Sequence, residues 1–306
     1  MTMSKGIKFA LATAVISGFA VFFNKFAVTK NIDPYQFTTL KNVLVAIVLS
    51  SIVLMPMVWR KLREIKRKDW YKLLAIGTIG GSIPFLLFFK GLSLTTPAMA
   101  GFIHKTLFIW ASVLAIFFLK EKIAKIQWLA LGALLIGIGL VVGIKAFTFG
   151  WAEIMILGAT LLWSIENVIA KKTLSTVDPK IVAWARMFFG SVILLAYLSV
   201  TSGFAGIFTL GTTKWLWIGL SVLFLSGYVL TWYHALAHEK VSVVASVLVL
   251  ASPITTILNA IYKGAILPPE KWLGMGLVLA AVIIFVAHTY YLEKKSPKAH
   301  VASLTS

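Results

Sequence analysis

The stretch PAMAGFIHKTLFIWASVLAIFFLKE runs from Pro97 to Glu121. It is apolar and long enough to cross a bilayer, yet His104 and Lys105 sit near its middle. A charged side chain at that depth is costly. It therefore faces a protein interior or a water-filled path. A companion stretch, VSVVASVLVLASPITTILNAIY, runs from Val241 to Tyr262. Each is followed by a Trp-Leu pair, Trp128-Leu129 and Trp272-Leu273, at an offset of 144 residues. The chain reads as two copies of one membrane unit with a polar path between them.

Apolar runs of this kind recur along nearly the whole chain of 306 residues, which is 59% hydrophobic with a mean hydropathy of +0.93. Bilayer-length apolar runs read as transmembrane helices. A barrel strand would alternate apolar and polar residues at every second position, and these runs do not. Ten spans are expected, at 7–28, 35–57, 73–92, 96–118, 127–145, 151–170, 181–200, 214–235, 240–262 and 271–292. Residues 5 to 23 resemble a signal peptide, but the run continues past Phe23 without a small-residue cleavage motif and reads as the first span. The polar tail, 293–306, is expected to be a disordered cytoplasmic segment.

The formal net charge of +19 raises nucleic acid as a partner, but the distribution argues for topology. With the N-terminus inside, inner segments hold 19 of the 29 Lys and Arg residues and outer segments hold 5. That bias places both termini in the cytoplasm. The most basic loop, Trp59 to Lys72, anchors the topology and touches anionic lipid. The chain has no cysteine, which excludes disulfides, thiol chemistry and Cys-ligated metal. His234, His238 and Glu239 make a poor metal set, and neither a metal nor a cofactor is expected.

The repeat organises everything else. Asp33-Pro34 opens span 2 and Asp178-Pro179 opens span 7, and Lys41 meets Arg186 at the same offset of 145. Asn24 meets Asn167 at 143, and Lys90 meets His234 at 144. The units are expected at 1–146 and 147–292. Five spans per unit is odd, so the second unit is inverted relative to the first. Inverted repeats characterise secondary transporters, whose sites lie near the midplane between the units. Gly132, Gly137, Gly139 and Gly143 on span 5, with Gly274, Gly276, Ala280 and Ala281 on span 10, mark close helix packing. Pro84 and Pro253 interrupt spans 3 and 9, each freeing a carbonyl and permitting a hinge.

This pattern resembles the drug/metabolite transporter superfamily, in particular its EamA-type members with two five-span repeats. The resemblance is carried by the two Asp-Pro pairs, by Lys41 and Arg186, by FFLKEKI from Phe117 to Ile123 with Gln127-Trp128 and the Gly-rich span 5, and by Ser252-Pro253. It covers residues 7 to about 290. It implies an all-α integral membrane protein with ten transmembrane helices as two inverted five-helix repeats, alternating access and a small organic substrate. The second copy departs from the first: Glu121 has no acidic counterpart, and Lys105 is matched by Val249.

The candidate site follows from depth. Lys105 is too deep to reach the interface easily, and Glu166 is the one carboxylate clearly within a span. The sharpest reading has Lys105 and His104, with Asn24 and Lys41, binding the carboxylate or phosphate of a substrate. Trp163 and Tyr233 offer aromatic walls, as do Trp110, Trp184, Trp232 and Tyr228. Glu166, Arg186, Lys25, Lys90, Pro84 and Pro253 are candidates for coupling or gating. A second reading pairs Lys105 with Glu166 in proton coupling, and a structural Glu166–Arg186 pair is a third.

The chain therefore reads as a secondary active transporter of a small metabolite (an amino acid, an organic anion or a drug-like compound) in the plasma membrane of a bacterium or archaeon. The alternative within the class is an exchanger of phosphorylated or nucleotide-linked sugars. A channel lacks a filter signature here, a pump lacks its phosphate-binding loop, and an enzyme lacks a convergent catalytic set. The expected partners are the substrate, anionic in the sharpest reading, and the bilayer, with no nucleic acid. The protein is expected as a monomer or homodimer.

Overall fold

The computed structural model describes residues 3–27, 34–143, 150–201, 203–204, 207 and 210–295. Among these there are fourteen helices, thirteen of which build ten apolar spans, and no strand occurs. The helices are α1 (Lys5–Ala27), α2 (Pro34–Val53), α3 (Pro56–Arg63), α4 (Arg67–Gly81), α5 (Ile83–Leu92), α6 (Pro97–Lys105) and α7 (Leu107–Leu119). They continue as α8 (Lys125–Val142), α9 (Trp151–Thr173), α10 (Pro179–Val200), α11 (Thr212–His238), α12 (Val241–Leu248), α13 (Ala251–Lys263) and α14 (Pro269–Lys295). Prolines 34, 56, 97, 179 and 269 each occupy a first helical position, where the missing N–H has no intrahelical acceptor to lose.

Three spans are broken. Span 3 is α4 then α5, divided at Ser82. Span 4 is α6 then α7, divided at Thr106. Span 9 is α12 then α13, divided at Val249 and Leu250. The second and third breaks correspond across the repeat, because Lys105-Thr106 and Val249-Leu250 are 144 residues apart. Pro253 lies just past the span 9 break, as the proline reading expects. Span 4 breaks without a proline: the Thr106 hydroxyl donates to the Ile103 carbonyl (2.6 Å) and accepts from the Trp110 indole (3.1 Å). These spans also close alike, with Lys120 (φ 56°) and Gly264 (φ 59°) in left-handed caps 144 residues apart.

The units interlock. Helix α1 packs along α11 and α13, while α9 packs along α4 and α5. Helix α10 crosses α2 and α4, and α8 lies against α14. Of the glycines expected to mark close packing, Gly137 and Gly274 do: a Cβ at Gly274 would lie 2.7 Å from the Gly137 carbonyl oxygen. Gly132 and Gly276 face open space, and Gly143 is a left-handed cap (φ 73°).

Two expectations are revised. The basic loop contains a helix, α3, whose Val58 and Leu62 are buried while Arg60, Lys61 and Arg63 stand outward. Its hydrophobic pair is too short a signal to separate from a loop by period alone. Helix α14 reaches Lys295, three residues into the segment expected to be disordered. The rest of that tail, with Lys30 and Asp33, lies outside the described residues. Below, the end of the bundle that carries the start of α1 is the proximal end.

Candidate functional site

The centre of the molecule is built on a freed carbonyl. In an unbroken helix the Gly80 oxygen would accept from the N–H of residue 84, but Pro84 has none. The Gly80 oxygen instead accepts the Trp163 indole N–H (3.0 Å) and the Arg186 guanidinium through Nη2 (3.2 Å). The next carbonyl, Gly81, accepts from the Asn42 amide at 3.5 Å. Pro84, read from the sequence as a hinge, thus creates the acceptor that gathers three helices.

Glu166 shares this surface. A Cβ at Gly80 would lie 2.5 Å from Glu166 Cγ and 3.4 Å from Arg186 Nε. The carboxylate accepts a hydrogen bond from the Tyr233 hydroxyl at 2.6 Å. Glu166 is 1% exposed and Arg186 7%. They are not in direct ionic contact: among the described residues, the carboxylate–cation contacts within 4.0 Å are Lys61–Asp178 and Lys72–Asp69. Glu166 and Arg186 are held side by side through Tyr233 and Gly80 rather than as a closed pair. Arg186 Nε is buried without a hydrogen-bond partner.

The cluster extends to the span 4 break. The Trp163 ring lies 4.8 Å from the His104 ring and 5.3 Å from Phe85, and Phe88 is 5.3 Å from His104. His104 Nδ1 is buried without a partner. Next to His104, Lys105 ends α6 at the break. It is partly buried and makes no hydrogen bond or ion pair among the described residues. His104, Trp163, Gly80, Arg186, Glu166 and Tyr233 therefore form one continuous chain of contacts, which starts at the residue before Lys105. In particular, Glu166 and Lys105 do not pair.

Other expected residues stand apart from this chain. Lys41 is 7% exposed and lies over the Phe37 ring at 5.1 Å, with no carboxylate beside it among the described residues. Asn24 buries its Oδ1 without a partner, although its counterpart Asn167 accepts from the Trp232 indole at 3.2 Å. Lys90 is exposed on α5. Pro253 is the third residue of α13. The side chain of Lys25 lies outside the described residues. Sequence reasoning missed Asn42, fully buried on α2, and the Gly80-Gly81 pair. Asn42 lies one residue past Lys41, so the polar register of span 2 could have found it.

The model of the EamA-like transporter family matches residues 4–143 and again 150–287. An "uncharacterized transporter" of Clostridium kluyveri is 25% identical over 304 residues, covering 92% of this chain and 93% of that relative. An "uncharacterized transporter in cobO 3'region" of Sinorhizobium is 28% identical over 142 residues, which is 44% of this chain and 99% of that relative. A crystal structure with no more specific description shares the fold, with a TM-score of 0.80 at 15% identity over 95% of this chain and all of the other. Two family matches, on either side of the chain's midpoint, restate the repeat that the offsets show. The chain belongs to the EamA-like transporter family of the drug/metabolite transporter superfamily, and is a ten-span membrane transporter of a family that is not a class of enzymes.

Proposed function

We propose that the protein is a secondary active transporter that moves a small organic anion across the plasma membrane by alternating access, with both termini in the cytoplasm. The observation that carries this reading is the pair of repeat-related breaks in spans 4 and 9, with Lys105 at one of them and no counter-ion beside it. Half-helix ends near the midplane of inverted repeats are where such transporters hold ionic groups. At the start of α7 the Thr106 carbonyl already accepts from the N–H groups of Ile109 (2.8 Å) and Trp110 (3.4 Å), so the attraction for an anion rests on side chains. Lys105 adds a full positive charge, and His104 and Trp163 offer a buried polar and aromatic wall. In this reading Lys41 and Asn24 contribute on the distal side. Glu166, Tyr233 and Arg186 form the coupling element, and Pro84 and Pro253 sit at the hinges.

The test is ligand-induced thermal stabilisation of the detergent-purified protein, with Lys105→Met alongside. A ligand at a hundredfold its Kd stabilises by about 2.7 kcal/mol. Succinate, L-glutamate or glucose 6-phosphate is expected to raise the Tm of the wild type and not of the variant. Equal stabilisation of both proteins by choline or L-leucine, with none by the anions, would overturn the anion reading.

A further inference from the structure

Among the described residues both ends of the bundle carry ties between helices, the distal end including Gln36 to the Gly203 carbonyl (3.1 Å) and Tyr35 to the Leu86 carbonyl (3.5 Å), but the charged ties differ. A bridge between a hydroxyl and an acid occurs at each end. At the distal end Thr95 donates to Glu153, tying the loop before α6 to the start of α9. At the proximal end Ser4 donates to Glu239, tying the start of α1 to the turn before α12. Thr95 and Glu239 are 144 residues apart, so the two bridges share one equivalent position, with acid and hydroxyl exchanged, while Ser4 and Glu153 are not equivalent positions.

Three further contacts occur at the proximal end. Glu121, just past α7, accepts from the backbone N–H of Val241 (2.7 Å) and Ser242 (3.3 Å), and from the Ser242 hydroxyl (2.6 Å). A carboxylate from the first unit therefore caps the first helix half of span 9 in the second, where the helix dipole favours negative charge. Lys171, near the end of α9, donates to the carbonyls of Leu236 (2.7 Å) and Glu239 (2.8 Å), which close α11. Together these side chains grip the short turn between α11 and α12 from two sides. The third contact is Asn167 with Trp232.

The equivalent distal positions lack the chemistry for all three. Glu121 is matched by Ala265, Lys171 by Val28 and Trp232 by Phe88, at offsets of 144, 143 and 144. Neither alanine nor valine offers a charge, and phenylalanine has no N–H for Asn24, whose Oδ1 is buried and unpartnered. Inverted symmetry alone would make the two closed states equivalent. These substitutions remove that equivalence.

We infer that Glu121 and Lys171 form a one-sided gate that holds the proximal end shut and biases the resting transporter toward the distal-open state. This rests on the alternating-access reading above. The gate is interhelical and non-covalent, so substrate seated at the central breaks has to separate α7 from α12 for release to the proximal side.

The absence of cysteine makes the test clean. Ser252, 7% exposed just past the span 9 break and without a hydrogen-bond partner, is replaced by cysteine as reporter. Full-length protein in oriented membrane vesicles is labelled with a membrane-impermeant maleimide from either face, alone and with Glu121→Ala. Lys171→Met is the second gate variant, and Glu64→Ala, an exposed acid at the same end, is the control. Losing the cap should raise proximal labelling about 5- to 30-fold, the ratio that corresponds to one or two kcal/mol. Distal labelling should fall in step, and Glu64→Ala should change neither. A proximal rise without a distal fall would keep the gate and remove alternating access. No proximal rise in either gate variant, with the protein still folded by size-exclusion chromatography, would overturn the gate whatever distal labelling does.

Discussion

Gly81→Ala tests whether the crossing of α4 and α10 holds the central cluster. A Cβ at Gly81 would lie 2.2 Å from the Arg186 carbonyl oxygen, 3.0 Å from Gly190 Cα and 3.2 Å from the Arg186 carbonyl carbon. All three are backbone atoms of α10, so no side-chain rotation relieves the clash. Reaching ordinary contact requires the helices to part by about 1 Å, and overpacking of this kind costs about 1–3 kcal/mol. The separation also acts on the Arg186–Gly80 bond, already 3.2 Å long, and on the Asn42–Gly81 contact at 3.5 Å. A lost hydrogen bond to a charged group adds about 1.5–3 kcal/mol. The expected total is on the order of 3–5 kcal/mol. Gly276→Ala is the matched control, since nothing lies near its Cβ direction. Alanine there removes a helical glycine, worth about 0.5–1 kcal/mol in the other direction. The assay is thermal unfolding of both purified variants in one detergent, with size-exclusion profiles. Gly81→Ala is expected to lower the Tm strongly and Gly276→Ala to leave it equal or higher. Equal Tm values for the two would refute the argument that backbone contact at Gly81 sets the position of Arg186.

Other outcomes follow from the same geometry. Tyr233→Phe removes the hydroxyl that donates to buried Glu166, and is expected to destabilise by about 1–3 kcal/mol. In a double-mutant cycle with Glu166→Gln most of that loss should disappear, and additive losses would dissociate the two side chains. Pro84→Ala restores an N–H that competes for the Gly80 carbonyl. It is expected to reduce flux several-fold while leaving the Tm near the wild type, and unchanged flux would remove Pro84 from the working parts. Asp178, before α10, lies against Lys61 at 2.7 Å. Burial pushes its carboxyl up, but the Lys61 and Lys180 contacts outweigh this and hold it below the usual carboxylate range. Its stabilising contribution is present above about pH 4, the unfolded value, and fades as pH falls through the lower folded value. The Tm gap between wild type and Asp178→Asn should therefore be modest at pH 7 and close in acid. A gap that widens below pH 4 would contradict the assignment.

The spans were legible because a bilayer demands an apolar length, and that length is written locally. The repeat was legible in Asp178-Pro179 and in the Trp-Leu pairs, and Pro84 announced a break. What the sequence did not disclose depends on contacts between distant residues. Thr106 breaks span 4 through its own hydroxyl, a role that many threonines in helices do not take. Tyr233 reads as one aromatic among many until Glu166 is found beside its hydroxyl. Glu121 and Lys171 look like interfacial charges at the ends of spans, because nothing in their local pattern names the helix ends they cap. Lys90 has the same composition signal as Lys105 but is exposed, since position along a span fixes depth and leaves the facing direction to packing.

The central claim is that Lys105, at the broken centre of span 4, reads an anionic substrate in a transporter that opens to each side in turn. The most direct measurement is counterflow of labelled L-glutamate and succinate in proteoliposomes, comparing wild type with Lys105→Met at matched Tm. Saturable counterflow by the wild type with at least one of these anions, and none by the folded variant, is the predicted result. Counterflow of the same size and affinity in both proteins would contradict it.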